Sequence, residues 1–233
     1  MTDRPGAAGA AIVSPAMRDR VRGLAVPVAT ALGRLGLTPN ALTLIGFAGT
    51  CVAAWAAATE RWLLAAVLVL GFGIFDLFDG TLARATGCAT RLGAFLDSTL
   101  DRAGEGIVYI GIAAGSLAAG SELGAILAAA AMAAAFMVSY TRAKFESLGF
   151  TAGTGMANVG LAPREVRIAI LTLGLLAAGI VPTTAVVCVK APCQQPIGLG
   201  MGILVGSLAL IAILATITTI QRILHVRAQS REG

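Results

Sequence analysis

Charge is scarce in this chain: Lys, Arg, Asp and Glu make up only 12% of its 233 residues, about half the share of an ordinary soluble domain. Apolar residues make up 57% and the mean hydropathy is +0.86. A soluble domain of this size leaves roughly a quarter to a third of its unfolded area wet, and so apolar a chain cannot hide enough of itself. A water-soluble helical bundle is therefore set aside in favour of an integral membrane protein. Histidine occurs once, as His225, and the four cysteines are scattered, which leaves no Cys/His cluster for a zinc centre. No short apolar stretch with a cleavage site follows the basic residues Arg18, Arg20 and Arg22, so the first long apolar run is expected to be retained as a span. No repeat of the kind that builds inverted-repeat transporters is visible.

What is present is a succession of apolar runs near the ~20 residues that a bilayer crossing needs. Six spans are expected, at about 41–59, 62–82, 93–119, 121–141, 165–183 and 198–220. All but two of the 17 basic residues then fall on one side; only Arg61 and Lys190 fall on the other. By the positive-inside rule both termini and the second and fourth connections are expected in the cytoplasm. The net charge of +5 follows from that rule and from attraction to anionic lipid, and needs no nucleic-acid partner.

The expected organisation is a disordered Gly- and Ala-rich segment 1–14, an amphipathic helix on the cytoplasmic surface over 15–35, a six-helix transmembrane domain over 36–222 and a basic tail 223–233. Val21, Leu24, Ala25, Val28, Leu32 and Leu35 recur at helical spacing in the second of these segments, as an interfacial helix requires. Thr38 or Asn40 is placed to cap the first span, with Pro39 at its start. Ala- and Gly-rich stretches such as 128–135 and 198–206 predict close helix contacts in lipid. Cys188 and Cys193 share the external loop, where either a short-loop disulfide or two free thiols is compatible with the spacing.

The carboxylates carry the chemistry. Asp76, Asp79, Asp97, Asp101 and Glu105 fall near or inside apolar spans, where ionisable groups are costly and usually functional. Asp76 and Asp79, three apart, share a face at the end of the second helix; Asp97, Asp101 and Glu105, four apart, form a row at the start of the third. The short connection predicts that these two helices are antiparallel neighbours whose acidic faces converge. So many carboxylates repel unless a cation neutralises them, and hard oxygen ligands favour Mg²⁺, Mn²⁺ or Ca²⁺. Gly80 and Ala83 leave room beside them for a nucleotide or phosphate, and Arg84 offers a phosphate donor.

Residues 76–101 read D-x2-D-G-x2-A-R-x8-G-x3-D-x3-D, which resembles the signature of the CDP-alcohol phosphotransferase (CDP-alcohol phosphatidyltransferase) family. The resemblance implies six transmembrane helices behind an amphipathic helix, commonly as a homodimer, with a CDP-linked lipid as donor. It implies that Asp76, Asp79, Asp97 and Asp101 hold Mg²⁺ or Mn²⁺, two ions being expected, and that Asp101 is also the general base. Asn40, Thr43, Gly80, Ala83, Arg84 and Thr90 would border the CDP moiety together with Asp76, Asp79 and Asp97. The implied reaction transfers a phosphatidyl-type group from CDP-diacylglycerol to a hydroxyl and releases CMP, chemistry that depends on charge neutralisation and in-line positioning.

Arg142, Lys144, Arg164 and Arg167 flank the fourth connection. They either surround an anionic acceptor phosphate or serve as ordinary positive-inside anchors. The first arrangement resembles the branch of the family that makes phosphatidylinositol phosphate or archaetidylinositol phosphate, with inositol phosphate as acceptor. Glycerol 3-phosphate or another alcohol is the alternative within the family, and an ion-coupled transporter the alternative outside it.

Overall fold

The computed structural model describes residues 26–27, 30–34, 36–87, 89–149, 159–181, 186–187 and 197–230; within the helices, the side chains of 74–77, 79–80 and 85–86 lie outside the description. The segment 1–14, most of 15–35, Cys88, Cys188, Lys190 and Cys193 fall outside it too. Six long helices account for most of the rest: α1 (Pro39–Ala58), α2 (Trp62–Thr86), α3 (Arg91–Ala118), α4 (Glu122–Ser147), α5 (Arg164–Ile180) and α6 (Leu199–Gln229). Each coincides with an expected apolar run. Two differences stand out. A two-residue antiparallel pairing of Val186–Val187 with Ile197–Gly198 lies before α6, and α6 continues as helix past 222 to Gln229.

Local sequence sets the helix ends. The Thr38 hydroxyl accepts from Ala41 N at 3.2 Å, with Pro39 in the first turn of α1, so Thr38 rather than Asn40 is the cap. Gly87, at φ +67, stops α2 in the left-handed conformation that glycine adopts without strain. The hydroxyls of Thr90 and Ser121 accept from Gly93 N and Gly124 N at the starts of α3 and α4.

The helices close a ring. α1 lies against α2 and α3, α3 against α4, α4 against α6, α6 against α5, and α5 back against α2. Among the described residues α2 and α3 make little contact with each other, which corrects the expectation that they are packed neighbours. Small residues explain why α1 comes between them. The Phe72 ring of α2 covers Gly49 of α1, where an added Cβ would lie 2.1 Å from it. On the other flank, a Cβ at Gly111 of α3 would lie 2.2 Å from the Ala54 carbonyl oxygen of α1. The described part of the segment before α1 rests on the same unit: Leu32 and Leu37 pack with Leu42 and Leu82.

The ring's interior is apolar, centred on Ala53, Ala57, Ala65, Ile112, Leu204, Leu208 and Ile211. Its exterior is apolar as well, with Leu173 65% and Ile126 64% exposed, a surface suited to lipid rather than water. By length and composition, α1, α4 and α6 can each cross a bilayer. In α3 the run is broken by carboxylates and arginines, and α5 has only 17 residues.

Candidate active site

The start of α3 and the start of α5 face each other across one end of the ring. Capping by Thr90 fixes the register of α3, so Asp97, Asp101 and Glu105 follow one another turn by turn on one face. Pro163 precedes α5 and sends Arg164 and Arg167 toward that row. Arg164 Nη1 donates to Asp101 Oδ2 at 2.7 Å. One turn deeper, Arg167 Nε and Nη2 donate to Glu105 Oε1 and Oε2 at 2.8 and 2.7 Å, and Nη1 donates to the Ala162 carbonyl at 2.9 Å. The Arg167 side chain is only 2% exposed. This fork-to-fork geometry is the strong, directional form of an ion pair.

Two cavities meet at Asp97. A cleft of about 190 Å³ is lined by Pro39, Asn40 and Thr43 of α1, Ala83 and Arg84 of α2, and Ala89, Thr90, Gly93, Ala94 and Asp97 at the start of α3. The second is wide, about 1010 Å³, and its wall includes Asp97, Asp101, Arg102, Glu105, Arg142, Glu146, Arg164, Arg167 and Arg222. The last turns of α2 and the start of α3 thus share the cleft with the start of α1.

The sequence-predicted residues divide accordingly. Asn40, Thr43, Ala83, Arg84, Thr90 and Asp97 come together around the cleft. Asp101, Arg142, Arg164 and Arg167 line the wide cavity, with Arg142 Nε also donating to Glu146 at 2.9 Å on the exposed rim. Lys144 is exposed and lines neither cavity. Arg167 is buried in its pair with Glu105, which argues for a structural use of its charge. The backbone of Asp76, Asp79 and Gly80 runs in α2 one to two turns ahead of Arg84, and their side chains lie outside the described residues.

Two residues of the site escaped the sequence reading. Arg222, from the sequence only one of the many basic residues on the cytoplasmic side, is buried, donating from Nε to the Val159 carbonyl at 3.1 Å and from Nη1 to the Val138 carbonyl. Its signal was available, as a charge inside an apolar helix. Thr218, whose hydroxyl accepts from the amides of Leu161 and Ala162, carried no signal, because isolated threonines are common in such helices.

A divalent cation suits the donor chemistry. Among the described residues, no three acidic, His or Cys side chains gather as a ligand set. Asp97 and Asp101 nevertheless offer hard carboxylate oxygens at the walls of the two cavities. The cleft around Asp97 adds the oxygen-bearing side chains of Asn40, Thr43 and Thr90 and no sulfur or imidazole. Such a set favours Mg²⁺ or Mn²⁺ over zinc.

Known proteins resemble this chain in both sequence and fold. The CDP-alcohol phosphatidyltransferase family model matches residues 36–227. The archaetidylinositol phosphate synthase of Pyrococcus horikoshii is 34% identical over 160 residues, covering 69% of this chain and 80% of the relative. The phosphatidylinositol phosphate synthase of Streptomyces avermitilis is 33% identical over 211 residues, covering 89% and 79%. Among solved structures, Mycobacterium tuberculosis phosphatidylinositol phosphate synthase (PgsA1) with CDP-DAG bound superposes with a TM-score of 0.70 at 26% identity, covering 88% of this chain and 94% of that one. The same enzyme in complex with manganese and citrate gives a TM-score of 0.71 at 26% identity, covering 87% and 88%.

Proposed function

The chain belongs to the CDP-alcohol phosphatidyltransferase family, and we propose that it transfers a phosphatidyl group from CDP-diacylglycerol to inositol phosphate, releasing CMP. Membership removes the ion-coupled transporter. The observation that carries the choice of acceptor is the wide cavity in which Arg142, Arg164 and Arg222 stand beside Asp97 and Asp101. An acceptor that brings its own phosphate supplies the anion this wall of guanidinium groups can bind. The relatives named for inositol-phosphate products support the same branch.

In this reading the CDP head lies in the cleft, against Asn40, Thr43, Gly80, Ala83, Arg84 and Thr90. The lipid chains remain in the bilayer. The acceptor phosphate binds Arg164 and Arg142, which places its ring hydroxyl next to Asp101. Asp101 takes the hydroxyl proton, the oxygen attacks the lipid-bearing phosphorus, and the bond to CMP breaks on the opposite side. Arg167 holds Glu105 and the turn before α5. Asp76, Asp79, Asp97 and Asp101 would hold Mg²⁺ or Mn²⁺, two ions being expected, which would neutralise the diphosphate and the charge developing on CMP; the manganese complex of the structural relative supports the use of a divalent ion. All six helices are read as crossing the membrane, with the site and both termini in the cytoplasm, because Arg84, Arg91, Arg102, Arg142, Lys144, Arg164 and Arg167 belong to the cavity end. A homodimer is expected from the resemblance.

Substitution of Arg164 tests the assignment. A charge-assisted hydrogen bond to phosphate contributes about 1.5–3 kcal/mol. Arg164→Ala should therefore raise the acceptor KM by on the order of tenfold or more and leave the donor KM nearly unchanged. An unchanged acceptor KM would remove Arg164 from the acceptor site and this choice of acceptor with it.

A further inference from the structure

We infer that Thr218, on the last helix, is a positioning residue for the acceptor side of the site: it fixes the turn that delivers Arg164. The inference rests on the proposed acceptor role of Arg164. Thr218 is fully buried. Its hydroxyl accepts from Leu161 N and Ala162 N, each at 3.0 Å, and donates to the Leu214 carbonyl at 2.8 Å. One donor and two acceptor positions are all a hydroxyl has, so its capacity is fully used. Two successive amides outside any helix are thereby tied to α6.

The neighbouring residues leave the turn little freedom. Gly160 has φ +124, and a Cβ there would lie 2.1 Å from Thr218 Cγ2. Both the conformation and the close approach demand glycine. Arg222 donates to the Val159 carbonyl and Arg167 to the Ala162 carbonyl. Pro163 then sets the entry into α5, and Arg164 is its first residue. From the anchored Ala162 amide to Arg164 there are only two further residues, so a displaced turn moves the guanidinium that reaches Asp101. Contact between α5 and α6 does not depend on this hydroxyl, because Leu175, Leu204 and Leu208 belong to the same apolar core.

Thr218→Val keeps the side chain's shape and removes its hydrogen bonds. With Mg²⁺, CDP-diacylglycerol and inositol phosphate, it should raise the acceptor KM by about threefold to tenfold while the donor KM stays within about twofold. Thr218→Ser should restore the wild-type acceptor KM. In an Arg164→Ala background, Thr218→Val should add almost nothing to the acceptor KM, since residues acting through one another are not additive. The inference is overturned if the two KM values move together, if Ser does not rescue, or if the double variant is additive. Should Thr218→Val fail to accumulate, Thr218→Ala carries the same comparison; failure of both would mark Thr218 as structural and also overturn it. Failure of the underlying reading looks different: the wild-type protein would then not turn over inositol phosphate at all.

Discussion

At the start of α5, Arg164 and Arg167 carry the same charge into different surroundings. Arg164 lies on the wall of the wide cavity and is partly exposed, whereas Arg167 is enclosed with Glu105. Removing one member of a buried pair strands the other charge and costs about 3–5 kcal/mol. Arg167→Ala should therefore lower the unfolding free energy by about that amount. Arg142→Ala, which breaks the exposed pair with Glu146, should cost only about 0–1 kcal/mol. Thermal unfolding in detergent checks both; equal losses would mean that the buried pair is not load-sharing in the way its geometry indicates. The sequence shows four basic residues around one connection and could not separate these roles, because charge placement is visible in sequence and burial is not. The carboxylates were easier to read: their spacing at three and four residues specifies a shared helix face whatever the tertiary packing.

At the scale of elements, α1 is the common neighbour of α2 and α3 and supplies one wall of the cleft beside Asp97. That position depends on glycine where α3 meets α1. A Cβ at Gly111 would press on the backbone of Ala54, and one at Gly115 would lie 2.1 Å from the Ala57 carbonyl oxygen. Gly111→Ala must separate the helices and should cost about 1–3 kcal/mol. Gly71→Ala, where nothing lies within 4 Å, should be neutral or raise the melting temperature, since alanine favours helix by about 0.5–1 kcal/mol. Comparing the two melting temperatures tests the α1–α3 contact; an equal response at both positions would contradict it. Small residues in the sequence foretold close helix contacts without saying which helices make them. The short α2–α3 connection suggested the wrong pair, because a four-residue link fixes where two helices begin and end but not what lies between them.

Across the whole molecule, apolar runs located all six helices, since each run had to be long and was bounded by polar, glycine or proline residues. Their closing order was not legible: the α4–α6 and α2–α5 contacts join elements distant in the chain. The ring sets the row of α3 carboxylates opposite the arginines of α5 and α6, with lipid-facing surface around it. A CDP-lipid can thus keep its chains in the membrane while its head meets a water-soluble acceptor. The most direct test supplies the purified protein with Mg²⁺, CDP-diacylglycerol and one acceptor at a time, with CMP release as the readout. Inositol phosphate, glycerol 3-phosphate, free inositol and serine are compared at equal concentration. The account predicts rapid CMP release with inositol phosphate and little with the other three; comparable rates with free inositol, serine or glycerol 3-phosphate would contradict it.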